Sequence, residues 1–128
     1  DLLFPKQQSI IAARAAGVLP MGLVSSGADY SHLDEMRKVV QKSRRFGFAG
    51  SSCIHPAVVP ILNEEFTPPA DEINSARKII NAFYKAEKAG RAALEVDGKM
   101  VDYPVVYRAE NLVKIADNIA KKEAAING

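Results

Sequence analysis

Cysteine is nearly absent from this chain, which has 128 residues and a single Cys. One thiol excludes an internal disulfide framework, so a reducing compartment and a cytoplasmic location are expected. No apolar run approaches the roughly 20 residues of a membrane helix, and the N-terminus lacks a secretory signal pattern. Neither charge sign dominates, since 17 basic and 15 acidic residues give a formal net charge of +2. The composition therefore predicts neither a nucleic-acid nor a membrane partner.

Complete site signatures are also missing. The sequence has no glycine-rich phosphate fingerprint, and no spacing of His, Cys or carboxylates matches a complete metal site. We therefore assign no metal ligand to this chain. The hydrophobic fraction of 48% and the charged fraction of 25% are those of a folded domain with a real core.

The order of predicted elements indicates an α/β protein. Amphipathic spacing and end signals predict helices at 5–16, 33–45, 68–89 and from Pro104 onward. Short apolar segments predict buried strands at 18–24 and 47–56, with a loop at 25–32 and a turn or short helix at 57–66. Asp97-Gly98 predicts a β-hairpin. Helices alternating with apolar strands are typical of parallel β/α units, but two strands alone leave a parallel sheet incomplete.

Cys53 and His55 lie two residues apart on a predicted strand and therefore share a face. A nucleophile–base pair is one interpretation, but such neighbours lie about 6 to 7 Å apart, too far for a direct hydrogen bond. Cys53 is therefore predicted to be a small core residue. His55-Pro56 marks the C-terminal end of a strand, where parallel β/α folds bind ligands. A histidine hydrogen-bonded within its own loop is the alternative.

Asp102 lies just before the last predicted helix. Exposed backbone N–H groups and the helix dipole stabilise a carboxylate at such a position, which is a purely structural role. A carboxylate held ionised at neutral pH can also accept a proton, which would make it catalytic. The second predicted helix ends in a basic cluster, interpreted as a solvated helix end rather than a phosphate site: Lys38, Lys42, Arg44 and Arg45.

Five segments, in order along the chain, together resemble one protein family. They are AARAAG (12–17), FGFAGSSCIHP (46–56), NEEFTPP (63–69), ARKII (76–80) and VDGKMVDYPVV (96–106). Their combination resembles the C-terminal half of the citrate lyase β-subunit-like proteins, a group that includes malyl-CoA and citramalyl-CoA lyases. The resemblance implies the C-terminal portion of a (β/α)8 TIM barrel, with the last β/α units and closing helix in residues 1–90. Residues 91–128 would form a hairpin-plus-helix cap.

The resemblance also implies a function. It implies a Mg²⁺-dependent carbon–carbon lyase that cleaves a 3-hydroxyacyl-CoA thioester into an acyl-CoA and a 2-oxo acid, with the Mg²⁺ ligands upstream of this chain. Asp102 matches the cap aspartate that exchanges a proton with the acyl-CoA, usually in a neighbouring subunit of a homo-oligomer, often a trimer or hexamer. Ile54, His55 and Pro56 match the turn that borders the CoA-binding mouth, where His55 is expected to shape the turn.

Two departures from the family pattern bear on the substrate. Relatives often carry a lysine where this chain has Ser51, and a glutamine where it has Val58. These differences leave the acyl group open. The alternatives are a citrate lyase β subunit or a malyl-CoA thioesterase on the same scaffold, or a non-catalytic CoA-binding paralogue.

Overall fold

The computed structural model describes residues 2–26 and 31–127; residues 27–30 of the predicted loop lie outside the described residues. The protein is a helix-rich α/β chain that divides into two compact units, residues 1–66 and 67–128. The helices are α1 (Leu3–Ala15), α2 (Leu33–Phe46), α3 (Val59–Phe66), α4 (Ala70–Lys88) and α5 (Tyr103–Asn127). The strands are β1 (Leu94–Val96) and β2 (Lys99–Val101), and a 3₁₀ turn at Pro56–Val58 precedes α3. No helix in the described ranges is both long and apolar enough to span a membrane.

The first unit is organised around α2. Acidic residues occupy its first turn and basic residues its last, which complements the helix dipole, and Gly47 ends it in the left-handed conformation at φ 111°. Its apolar face packs against the segment before it and against α3. The buried cluster contains Leu23, Met36, Val40, Val58, Ile61 and Leu62. Arg37 adds ion pairs from α2 to Glu64 (2.8 Å) and to Glu65 of α3.

Ser43 ties the chain segment after α1 to the middle of this unit. It is fully buried, and its hydroxyl donates a hydrogen bond to the carbonyl of Val39 at 2.6 Å. The same oxygen accepts a hydrogen bond from the backbone N–H of Val24 at 3.0 Å. Because both capacities of the hydroxyl are used, its burial carries no penalty for an unsatisfied group.

The prediction of two regular parallel strands is wrong. A single parallel bridge joins Met21 to Gly50, with hydrogen bonds of 2.8 Å from Gly22 N to Gly50 O and from Ala49 N to Pro20 O. The parallel direction agrees with the β/α interpretation. Parallel strands are stable when neighbouring strands and helices cover them, but the side chain of Met21 is 59% exposed. Pro20 also has no N–H to extend the ladder.

The second unit contains α4, the hairpin and α5, and the hairpin prediction is confirmed. Strands β1 and β2 pair antiparallel with Leu94 opposite Val101 and Val96 opposite Lys99. Asp97 and Gly98 both have positive φ, 52° and 75°, as a type I′ turn requires. The core is a cluster of Phe83, Val101 and Val106, against which Ile79, Leu94, Val96 and Val105 pack.

Candidate functional site

The turn at Ile54, His55 and Pro56 is built by local hydrogen bonds. His55 has extended backbone angles (φ −140°, ψ 133°) and precedes the 3₁₀ turn. Its Nδ1 accepts a hydrogen bond from Ala57 N at 3.2 Å, and its carbonyl accepts one from Val58 N at 3.1 Å. Pro56 occupies the first position of the turn, where its missing N–H costs nothing. His55 is therefore hydrogen-bonded within its own turn. Its place beside a ligand-binding mouth stays a prediction.

Cys53 lies on the surface, so its prediction as a core residue is wrong. The thiol is free and exposed. The prediction assumed that residues 47–56 form a buried strand with alternating faces. Because the regular pairing ends at Gly50, residues 51–54 follow the surface of the first unit instead.

An open groove of about 560 Å³ lies where the two bridged segments end. Ser25 and Ser26 follow the first segment, and Ser51 through Ile54 follow the second. Half of the lining residues carry hydroxyl groups or an ammonium group: Lys6, Ser9, Ser25, Ser26, Ser51 and Ser52. The other half is largely apolar and includes Met21, Leu23 and Phe48. Ile54 lies at the edge with its side chain 75% exposed. Such a lining offers several hydrogen-bond donors and one positive charge to a polar or anionic ligand.

Sequence reasoning singled out Ile54 and Ser51, which both line this groove, but not the other serines. Ser25 and Ser26 directly follow the first predicted strand, whereas Ser51 and Ser52 lie inside the second, predicted at 47–56. The predicted strand ends therefore gave no signal that the two serine pairs lie together. Lys6 and Ser9 come from α1, and nothing in their spacing indicated this location.

Asp102 caps α5. Its Oδ1 accepts a hydrogen bond from Val105 N at 3.3 Å, and its carbonyl accepts one from Val106 N at 3.0 Å. The side chain is half-buried. Within residues 2–26 and 31–127, no hydrogen bond to Oδ2 is found. The helix-start interpretation is confirmed, and the second carboxylate oxygen is available for other chemistry.

Two tyrosine–glutamate pairs join α4 to α5 around the buried ring of Phe83. The hydroxyl of Tyr103 donates to Glu87, and that of Tyr84 donates to Glu110 Oε1 at 2.6 Å. In each pair, the hydrogen bond and the charge of the carboxylate raise the pKa of the tyrosine above its usual value, because both favour the neutral phenol. Sequence reasoning missed both pairs, whose partners lie 16 and 26 residues apart.

The basic residues at the end of α2 are exposed or half-exposed. Lys38 forms an ion pair with Glu35 at 2.8 Å, which raises the pKa of the lysine and lowers that of the glutamate. Lys42 lies 5.9 Å from the ring centre of Phe46. These contacts support the interpretation as a solvated helix end. The described part of the chain contains no group of three His, Cys, Asp or Glu residues that could hold a metal ion.

Comparison with known proteins first defines the class of fold. CitE of Mycobacterium tuberculosis, solved in complex with magnesium, acetoacetate and coenzyme A, matches with a TM-score of 0.67 and 24% identity. The match covers 88% of this chain and 40% of the CitE chain. The chain therefore shares the fold of part of CitE. No family model matches the sequence.

Sequence relatives then identify the family. The mitochondrial citramalyl-CoA lyase of Rattus norvegicus is 30% identical over 122 residues, which is 95% of this chain and 36% of that protein. The citrate lyase subunit beta of Leuconostoc mesenteroides subsp. cremoris is 32% identical over 117 residues, or 91% of this chain and 38% of the relative. The resemblance to the citrate lyase β-subunit-like family is confirmed: this chain is homologous to a portion of its members. The chain spans 36% and 38% of the length of these two relatives.

Proposed function

We propose that this chain is part of a Mg²⁺-dependent carbon–carbon lyase that converts a 3-hydroxyacyl-CoA thioester into an acyl-CoA and a 2-oxo acid. The observation that carries the proposal is the carboxylate of Asp102 at the start of α5, where Oδ1 accepts a hydrogen bond from Val105 N while Oδ2 has no hydrogen bond from the described residues. The names of the relatives, citramalyl-CoA lyase and citrate lyase subunit beta, support the reaction class. The ligands bound to CitE support the cofactor and the thioester.

The proposed role of Asp102 is proton exchange at the α-carbon of the acyl group. Cleavage breaks the bond between the α-carbon and the hydroxyl-bearing carbon and leaves its electron pair on the thioester as an enolate. The hydroxyl group loses its proton to water as it becomes the carbonyl of the oxo acid. Asp102, having taken up a proton from water, donates it to the α-carbon, so no net proton is gained or lost, and in the reverse direction its carboxylate removes the proton from the α-carbon. Bound Mg²⁺ would supply positive charge to the oxygen of the oxo acid, and its ligands are expected upstream of this chain.

The turn at Ile54, His55 and Pro56 is proposed to border the CoA-binding mouth. The groove with the serine hydroxyl groups supports this assignment, because both Ile54 and the positively charged Lys6 line it. In this proposal the residues up to 90 complete a TIM barrel, and residues 91–128 form a cap that brings Asp102 to a neighbouring subunit of a homo-oligomer, a trimer or hexamer. The lone cysteine supports a reducing, cytoplasmic setting.

Replacing Asp102 with Asn tests the catalytic assignment. Asn keeps an oxygen that caps α5, so the stability and CoA binding of the complete protein should stay close to wild type. The proton-transfer capacity is lost, so turnover should fall roughly 10²- to 10⁴-fold. The assay presents malyl-, citramalyl- and citryl-thioesters with Mg²⁺ and follows release of the oxo acid. Wild-type turnover in the Asp102→Asn variant would refute the assignment.

The same assay separates the alternative functions. Release of free CoA without a preceding oxo acid identifies a thioesterase, and activity only on a carrier-bound citryl group identifies a citrate lyase β subunit. The presence of Ser51 in the groove, where relatives often carry a lysine, is the observation that favours a non-catalytic CoA-binding paralogue. CoA binding with no turnover on any thioester would establish that alternative.

A further inference from the structure

We propose that Tyr103 and Glu87 are positioning residues for Asp102. The hydroxyl–carboxylate hydrogen bond between them connects the first residue of α5 to α4 and sets the direction in which the neighbouring Asp102 carboxylate points. The inference deepens the proposed function and rests on it, because a fixed direction matters only if Asp102 meets a substrate.

The backbone on both sides of Asp102 is anchored, but by different forces. On one side Val101 is 1% exposed, pairs with Leu94 in the hairpin and packs in the core of the second unit. On the other side the ring of Tyr103 meets the fully buried ring of Phe83 edge-on, with centroids 4.9 Å apart at 70°. Tyr103 is itself 56% exposed, so burial holds it only partly. The hydrogen bond to Glu87 therefore supplies a constraint that packing does not.

The cap bond of Asp102 is too long to fix the carboxylate alone. The distance from Val105 N to Oδ1 is 3.3 Å, whereas N–H to oxygen hydrogen bonds normally measure about 2.7 to 3.2 Å. A carboxylate held by one long bond retains freedom to rotate. Fixing the next residue, Tyr103, against α4 restricts the backbone that carries this carboxylate. Catalytic groups lose rate steeply when displaced by about 1 Å, so this restriction should show in turnover.

The second tyrosine–glutamate pair provides a matched control. Tyr84 donates to Glu110 at 2.6 Å, joins the same two helices and meets Phe83 edge-on at 5.9 Å and 80°. Its exposure of 43% is similar to that of Tyr103. Tyr84 lies within α4 and is not adjacent in sequence to Asp102. Phenylalanine at either position removes one tyrosine hydroxyl and keeps the ring. A difference between the two variants therefore reflects the location of Tyr103 next to Asp102, and not merely the loss of one hydrogen bond between α4 and α5.

The experiment compares Tyr103→Phe, Glu87→Ala, Glu87→Gln and Tyr84→Phe in the complete protein. Turnover and KM are measured with the active thioester, and the exchange rate of the Val105 amide is measured by hydrogen exchange. Tyr103→Phe and Glu87→Ala should lower kcat about tenfold, with KM within about twofold, and should speed exchange at Val105. Glu87→Gln keeps an acceptor for the hydroxyl and should retain most of the kcat. Tyr84→Phe should change neither kcat nor the exchange at Val105.

Equal effects of Tyr103→Phe and Tyr84→Phe on both kcat and exchange would overturn the positioning role, because the bond would then be only one of two structural ties. Failure of Glu87→Gln to restore turnover would also contradict it. Asp102→Asn is measured alongside. If that variant turns over like wild type, the proposed function fails, and the exchange data at Val105 still decide whether Tyr103 and Glu87 order the cap.

Discussion

At the scale of single residues, Asp102 and His55 each complete the first turn of a helix by accepting one backbone hydrogen bond, through Oδ1 and Nδ1 respectively. These structural roles were predictable because capping depends on neighbours within three residues. The exposure of Cys53 was not predictable, because it depends on where the pairing between its own segment and a distant segment stops. The contact between Tyr103 and Glu87 likewise joins residues on separate helices, and no local pattern signals it.

Substitution of His55 distinguishes a turn-shaping histidine from a proton-transferring one. In Asn the side-chain oxygen occupies a position similar to Nδ1, so His55→Asn should keep the hydrogen bond from Ala57 N and leave both stability and turnover near wild type. His55→Ala removes the acceptor and should lower the free energy of unfolding by about 1 kcal/mol. Denaturant unfolding and steady-state kinetics measure the two effects. Loss of turnover in a stable His55→Asn variant would show that the imidazole takes part in chemistry.

At the scale of elements, the hairpin was predicted correctly and the parallel strands were not. The hairpin is specified by two adjacent residues, Asp97 and Gly98, and each strand finds its partner a few residues away. The segments at 18–24 and 47–56 depend instead on partners far along the chain, and in the described residues their pairing amounts to one bridge. Local turn chemistry therefore carries more predictive information than the apolar character of a segment.

The conformation of Gly98 determines the stability of the hairpin. Its φ is 75° and a Cβ there would meet nothing within 4 Å, so Gly98→Ala introduces backbone strain without a steric clash. That strain should lower the free energy of unfolding by about 1 to 2 kcal/mol. Gly98→Asn should cost less, because Asn tolerates positive φ. Urea unfolding of both variants tests this expectation, and an alanine variant as stable as wild type would contradict a type I′ turn.

At the scale of the whole molecule, composition and motif order were sufficient to recognise the family resemblance. They did not supply a closed parallel sheet or a set of metal ligands. Two apolar segments do not make a closed parallel sheet, and the structure shows only one bridge between them. The relatives support the same conclusion, because the matched region is about a third of the rat protein, at 36%. In the described ranges no three His, Cys, Asp or Glu residues form a group that could hold a metal ion. In our proposal the site residues of this chain bind substrate and exchange a proton, and the metal ligands lie upstream of them.

This division of roles predicts how the complete protein responds to loss of Mg²⁺. A chelator should abolish oxo acid release. Added Mg²⁺ should restore it, because the metal again supplies the positive charge that stabilises the oxygen of the oxo acid. Asp102→Asn should bind Mg²⁺ with wild-type affinity in calorimetric titration, because our proposal gives Asp102 the proton exchange and puts the Mg²⁺ ligands upstream of this chain. His55→Asn is the control, because our proposal gives His55 no contact with the metal. A drop in Mg²⁺ affinity confined to Asp102→Asn would make this carboxylate a metal ligand and would replace proton exchange as its role.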